Sequence, residues 1–345
     1  MGEGRRRWVA FFGLWCLYSV ATIGTANADV KIERVRYKGW SDCWKLSNGT
    51  VELVLVPAVS RILHYGFKGG PNLLWENRPL AGTVGDGKTG DWRNVGGDKV
   101  WPWPQDDWER LLPRAWPPPP VADALPVQVT VVGKDTLRTT SDRLMPWGVR
   151  ILREIRMEPT GTGVHIVSRF VRETDGEVAP CAPWTVTQVP ATPWVIARLL
   201  PASTLPDGYK SFSGEAKFKS VTKLPEGVLL VERNPTQATK IGFDGDILAT
   251  LQADTLFLIR QAKSLPADHR GGAWAPGDRA QLYSQPDDAN AAKAGTLPYI
   301  ELEMTAPRKS LKKGETVTLA QFWELRRLPE PQRNPSGVAV LLKSL

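Results

Sequence analysis

Short apolar runs, each closed by a turn signal, fill this chain and restrict it to a β fold. Alternating or β-branched stretches occupy residues 51–56, 61–67, 127–132, 149–158, 164–171 and 194–199. Others follow at 227–231, 247–251, 255–262, 299–304 and 317–325. Side chains alternate faces along a strand, so runs of this kind suit half-buried strands better than helices. Ser47-Asn48-Gly49, Gly69-Gly70-Pro71, Asp207-Gly208, Asp244-Gly245 and Lys313-Gly314 separate them with residues that reverse a chain. The best short helical stretch is 289–294. No composition break marks a linker, which predicts one large antiparallel sandwich or barrel over 29–328 and a surface tail at 329–345.

Residues 92–116 read WRNVGGDKVWPWPQDDWERLLPRAW and hold five of the 15 tryptophans. Prolines remove backbone donors and fix φ, so the expectation is a rigid loop that at best touches a sheet edge. Indole faces accept sugar C–H groups while neighbouring charges and amides take hydroxyls. The same indoles also serve as a cap on the core, and both uses stay open.

The first 28 residues carry a targeting pattern. Arg5-Arg6-Arg7 precede an apolar stretch at 8–23, and Ala26-Asn27-Ala28 supplies a small-x-small cleavage signal. Cleavage after Ala28 predicts a periplasmic or secreted protein with no stable membrane span. Loss of Cys16 leaves Cys43 and Cys181, either as a disulfide or as two buried thiols. Removing Arg5, Arg6, Arg7 and Glu3 takes the formal charge from +8 to +6. The basic residues are spread out and no nucleic-acid motif is present, so no nucleic-acid partner is expected.

Four stretches in order narrow the fold. Residues 50–75 read TVELVLVPAVSRILHYGFKGGPNLLW: a strand, a turn ending in Arg61, a second strand and a closing NLLW. GGDKVWPWPQ (96–105), APWTVTQVP (182–190) and YIELEMTAP (299–307) follow. Spread over residues 30–327, they resemble the galactose mutarotase-like superfamily, and within it the bacterial domain-of-unknown-function family numbered 4380. The resemblance implies an all-β supersandwich, a curved pair of stacked antiparallel sheets with a sugar-sized cleft on the concave side. It leaves the activity open, because the superfamily holds aldose 1-epimerases, accessory domains of glycosidases and polysaccharide lyases, and members of no assigned activity. In the epimerases a carboxylate takes the anomeric hydroxyl proton while a His protonates the ring oxygen.

Glu303 matches the place of the catalytic Glu in that resemblance. Period two sets Glu301 on the same face, where paired carboxylates raise each other's proton affinity; the plain alternative is a solvated strand face. The matching His is absent. APWTVTQVP offers Trp184, Thr185 and Gln188, which bind hydroxyls or stack without delivering a proton. Lys99 is the candidate replacement acid with Asp98 to orient it, unless the two close a surface ion pair. The candidate substrate-binding set is Arg61, Asp98, Trp101, Trp103, Gln105, Trp184, Gln188 and Glu301. Arg61 either contacts a sugar hydroxyl, as the resemblance implies, or pairs with a carboxylate. His64 is expected toward the core, His165 on an exposed face and His269 in a loop. None has metal-ligand spacing, and neither metal nor cofactor is expected.

Three functions remain. The first is an exported carbohydrate-binding protein lacking standard aldose 1-epimerase chemistry, with a sugar or oligosaccharide as partner. The second is a carbohydrate-active enzyme, such as an epimerase-like isomerase with an atypical acid. The third is an envelope domain whose tryptophans dock a protein. Convergence of Glu303, Arg61, Lys99, Trp101 and Trp103 on one cleft is the arrangement that makes a sugar site credible.

Overall fold

The computed structural model describes Met1 and residues 29–88, 92–225, 227–261 and 272–345. The targeting segment, its cleavage signal and His269 lie outside the described residues. The first strands are β1 (Lys31–Tyr37), β2 (Trp40–Ser47), β3 (Val51–Val56), β4 (Arg61–Phe67), β5 (Asp98–Trp103), β6 (Gln128–Val132) and β7 (Thr136–Leu144). Next come β8 (Val149–Met157), β9 (Val164–Arg172), β10 (Ala182–Pro190), β11 (Trp194–Leu199), β12 (Lys210–Ser211), β13 (Ser220–Leu224) and β14 (Val228–Glu232). The last are β15 (Thr239–Phe243), β16 (Gly245–Gln252), β17 (Thr255–Gln261), β18 (Ala280–Ser284), β19 (Tyr299–Thr305) and β20 (Thr316–Arg327).

They form two ten-stranded sheets. One runs β1-β2-β3-β4-β5-β10-β19-β18-β15-β12, the other β13-β14-β11-β16-β17-β20-β9-β8-β7-β6. Both are antiparallel, as the alternating runs predict. In β8 and β9 every second residue is buried. Val149, Ile151, Ile155 and Met157 thus face the main core shared by the two sheets. Arg153 takes the inward place between Ile151 and Ile155. It reaches across to Asp98 of the first sheet, which also accepts from Thr187 Oγ1 at 2.7 Å. The two charges are buried together and paired, the arrangement that buried charge requires.

Helices are short: α1 (Trp108–Leu111), α2 (Pro120–Asp123), α3 (Ala289–Lys293) and α4 (Pro335–Lys343). α3 falls where the sequence suggests one. The tail beyond residue 328 is helical rather than a plain surface wrap: the Asn334 side chain accepts from Gly337 N at 3.0 Å and Pro335 follows it, a strong start signal. Val338, Ala339 and Leu342 then cover Ile196, Val228 and Ile247 on the outer face of the second sheet. Among the described residues no helix is long and apolar enough to cross a membrane.

The segment expected to be a loop contains an internal strand. β5 pairs with β10 from Ala182↔Trp103 to Thr187↔Asp98 but meets β4 only at Ile62↔Asp98. Pro102 therefore has an empty flank where no ladder donor is required, which is why the prolines are tolerated. Gly96 and Gly97 lead into it with φ of +100° and +72°. A Cβ on Gly97 would stand 2.2 Å from the Ile62 carbonyl oxygen, so the Gly-Gly pair is a condition of this crossing.

Candidate functional site

Strand parity decides which side chains meet. Asp98 and Thr185 point to the second sheet, where Gln321 Nε2 donates to Thr185 Oγ1 at 2.7 Å. Residues of the opposite parity point outward: Lys99, Trp101 and Trp103 on β5, Trp184 and Gln188 on β10, Glu301 and Glu303 on β19. Register completes the set. Glu303 lies opposite Val186 and Gln281, Glu301 opposite Gln188 and Tyr283, and Lys240 opposite Tyr283.

Glu303 is fully buried. Its Oε2 accepts from Trp184 Nε1 at 2.7 Å and from Lys240 Nζ at 3.0 Å, while Oε1 has no partner. Burial raises its pKa from 4.5 to about 7; Lys240 opposes the rise and Glu301 adds to it. Both amide atoms of buried Gln281, directly opposite, are also unpartnered.

Glu301 Oε1 accepts from Gln188 Nε2 at 3.0 Å and from Lys99 Nζ at 3.4 Å, and its side chain is 11% exposed. Burial drives Lys99 down from 10.5 to about 8, with Glu301 resisting. Each lysine sits over an indole. Lys99 Nζ lies 4.7 Å from the Trp101 ring centroid, and Lys240 Nζ lies 4.4 Å from that of Trp184. The floor is thus two lysine–indole–glutamate sets spread over β5, β10, β19 and β15 of one sheet.

The chain between β5 and β6 folds back beside this floor. Trp108 packs on Trp101 at 5.9 Å and Trp184 at 6.2 Å, and its Nε1 donates to the Pro102 carbonyl at 2.9 Å. Asp123 of α2 accepts from Trp101 Nε1 at 2.8 Å and from Arg61 Nη2 at 2.6 Å. Arg61 is buried, with Nε and Nη1 unpartnered.

No family model matches the sequence, and no curated protein matches it. Solved structures do. The mutarotase candidate YeaD of Salmonella typhimurium aligns with a TM-score of 0.53 at 13% identity, covering 86% of this chain and 94% of that one. A galactose mutarotase related enzyme of Lactobacillus acidophilus aligns at 0.52 and 9% identity, covering 84% and 98%. The fold is the galactose mutarotase-like β-sandwich. At such identities the likeness carries architecture and not residue roles.

Within the mutarotase-like sandwich the predicted residues divide. Glu301, Glu303, Lys99, Trp101, Trp103, Trp184 and Gln188 share the outward face. Asp98 does not: as the strand neighbour of Lys99 it must point the other way, and it pairs with Arg153 inside the sandwich instead of orienting the lysine. Lys99 itself pairs with Glu301 while fully buried, so no surface ion pair forms between it and Asp98. Gln105 lies past the strand end in a turn, half-buried, and is not among the side chains that hydrogen-bond either glutamate. Arg61 is on the outward side but tied to Asp123. Lys240, Gln281 and Asp123 went unpredicted; the alternation in TKIGF and AQLYS is the signal that marks the first two.

Cys43 and Cys181 are free buried thiols. His64 is half-buried against Tyr37, and burial lowers its pKa. His165 is half-buried, bonded to Glu158 and packed on Phe322. Among the described residues no cluster of His, Cys, Asp and Glu is arranged to hold a metal.

Proposed function

We propose that this is an exported carbohydrate-binding protein that seats a saccharide over the Glu301–Glu303 face. The observation that carries the reading is the set of buried, unpartnered hydrogen-bonding atoms on one face: Glu303 Oε1, both Gln281 amide atoms and Gln188 Oε1. Leaving such an atom unsatisfied costs about 1–3 kcal/mol, which a hydroxyl-rich ligand offsets by donating to the carboxylate and exchanging bonds with the amides. Indoles beside them suit the C–H face of a sugar ring. Export rests on Arg5–Arg7 and the cleavage signal, and placement in family 4380 rests on the four motifs. Absence from 182–190 of the His that the aldose 1-epimerases carry argues against standard epimerase chemistry.

One observation favours a second reading, an aldose 1-epimerase-like isomerase. Glu303 is raised to about 7 and Lys99 is lowered to about 8, which brings a base and an acid together near neutrality. In that reaction Glu303 takes the anomeric proton and Lys99 gives one to the ring oxygen.

Tryptophan emission during titration with neutral and acidic sugars tests the first reading. A saturable shift is expected for at least one sugar, and no response across the panel contradicts it. Polarimetry on the responding sugar tests the second: anomer interconversion at the spontaneous rate removes it.

A further inference from the structure

We infer that the ligand is an oligosaccharide, with one ring over the glutamate floor and a neighbouring ring stacked on Trp116 and Trp92. The inference rests on the saccharide reading above and specifies its substrate class.

A row of indoles leads out of the floor. Trp184, hydrogen-bonded to Glu303, is buried; Trp101 lies 5.3 Å from it and is buried as well. Trp116 comes next, 5.8 Å from Trp101, and is 42% exposed. Trp92 follows at 4.7 Å from Trp116, half-buried, with its Nε1 lacking a partner. Trp116 stacks on Trp108 at 6.2 Å; Trp108 is fully buried while Trp116 keeps part of its surface open to solvent. The partly exposed Trp116 and half-buried Trp92 thus end the row on an apolar face that a sugar ring can cover.

The platform is held in place from both sides. Residues 117–120 are all proline, which stiffens the chain directly after Trp116, and α2 is anchored through Asp123 to Arg61 and Trp101. Trp92 begins the segment 92–97, which is pinned at its other end by Gly97 N donating to the Trp75 carbonyl at 2.8 Å. Asn94 of that segment lies beside Tyr299, which packs on Trp75 near Glu301. The segment therefore spans from the polar floor to the exposed indoles. A sugar bonded to Glu303 leaves Trp116, two indoles further out, for the next ring.

The test is calorimetric titration of the mature protein with three probe series: cello-, galacto- and galacturono-saccharides, each as monomer, dimer and trimer. In at least one series the dimer is expected to bind about three- to tenfold more tightly than the monomer, the size of one aromatic stacking contact. Trp116→Ala removes that gain and keeps monomer affinity, while Trp116→Phe, which retains a ring, keeps most of the gain. Equal affinity for monomer, dimer and trimer overturns the inference and leaves the saccharide reading intact. So does a Trp116→Ala variant that weakens all lengths by one common factor, since Trp116 is then only a prop. No binding in any series overturns the inference together with the saccharide reading.

Discussion

Replacing Glu303 by Gln gives a stability change whose pH dependence follows mainly from burial of the carboxyl, with Lys240 opposing it and Glu301 adding to it. The folded protein holds the Glu303 proton to about pH 7, whereas the unfolded chain releases it near 4.5. Between those values the folded state binds more protons, so wild-type stability falls as pH rises from about 4.5 to about 7. Each pKa unit corresponds to 1.36 kcal/mol, which makes the loss about 3 kcal/mol by pH 8. Gln keeps an acceptor for Trp184 and Lys240 but does not titrate. Relative to wild type, Glu303→Gln should therefore gain about 3 kcal/mol between pH 4.5 and pH 8, whatever its offset at a single pH. Urea unfolding followed by tryptophan emission at both pH values measures this, since comparing the two cancels any pH-independent packing change. A wild-type-to-variant difference that stays constant within about 0.5 kcal/mol refutes the reasoning, because the carboxyl then titrates as it does in the unfolded chain.

Three further substitutions probe the frame. Asp98→Ala strands the buried Arg153 guanidinium and should cost roughly 3–5 kcal/mol in urea unfolding; a loss below about 1 kcal/mol contradicts the pairing across the sheets. Gly97→Ala places a methyl against the Ile62 carbonyl at a positive φ and should cost roughly 1–3 kcal/mol, seen as a lowered Tm, and an unchanged Tm speaks against the tight crossing. Leu342→Ala opens the cluster under α4 and should cost roughly 2–5 kcal/mol in the same unfolding assay, whereas a neutral result means the helix does not cover the sheet.

What the chain discloses before folding is what local periodicity controls. The alternation of β19 is visible in the letters, and so is the shared face of Glu301 and Glu303, whereas β8 and β9 interrupt theirs with Arg153, Ser168 and Arg172 on the inward side. Alternation also places Asp98 and Lys99 on opposite faces, but a segment this rich in glycine and proline reads as a loop, where alternation does not apply. Prolines 102 and 104 argued against a strand, and nothing local tells that one flank of β5 goes unpaired. Lys240 reaches Glu303 across 63 residues of sequence because β15, β18 and β19 lie side by side, an order that no short-range pattern encodes. The terminal helix is not legible in the letters because Pro335 and Gly337 obscure the apolar period that begins at Val338.

Determining the structure of this protein with a bound trisaccharide from the responding series tests the central claim most directly. The account predicts sugar hydroxyls within about 3 Å of Glu303 Oε1 and the Gln281 amide, with a ring lying against an indole. A saccharide bound elsewhere on the molecule, with those buried atoms still unpartnered beneath closed side chains, contradicts it.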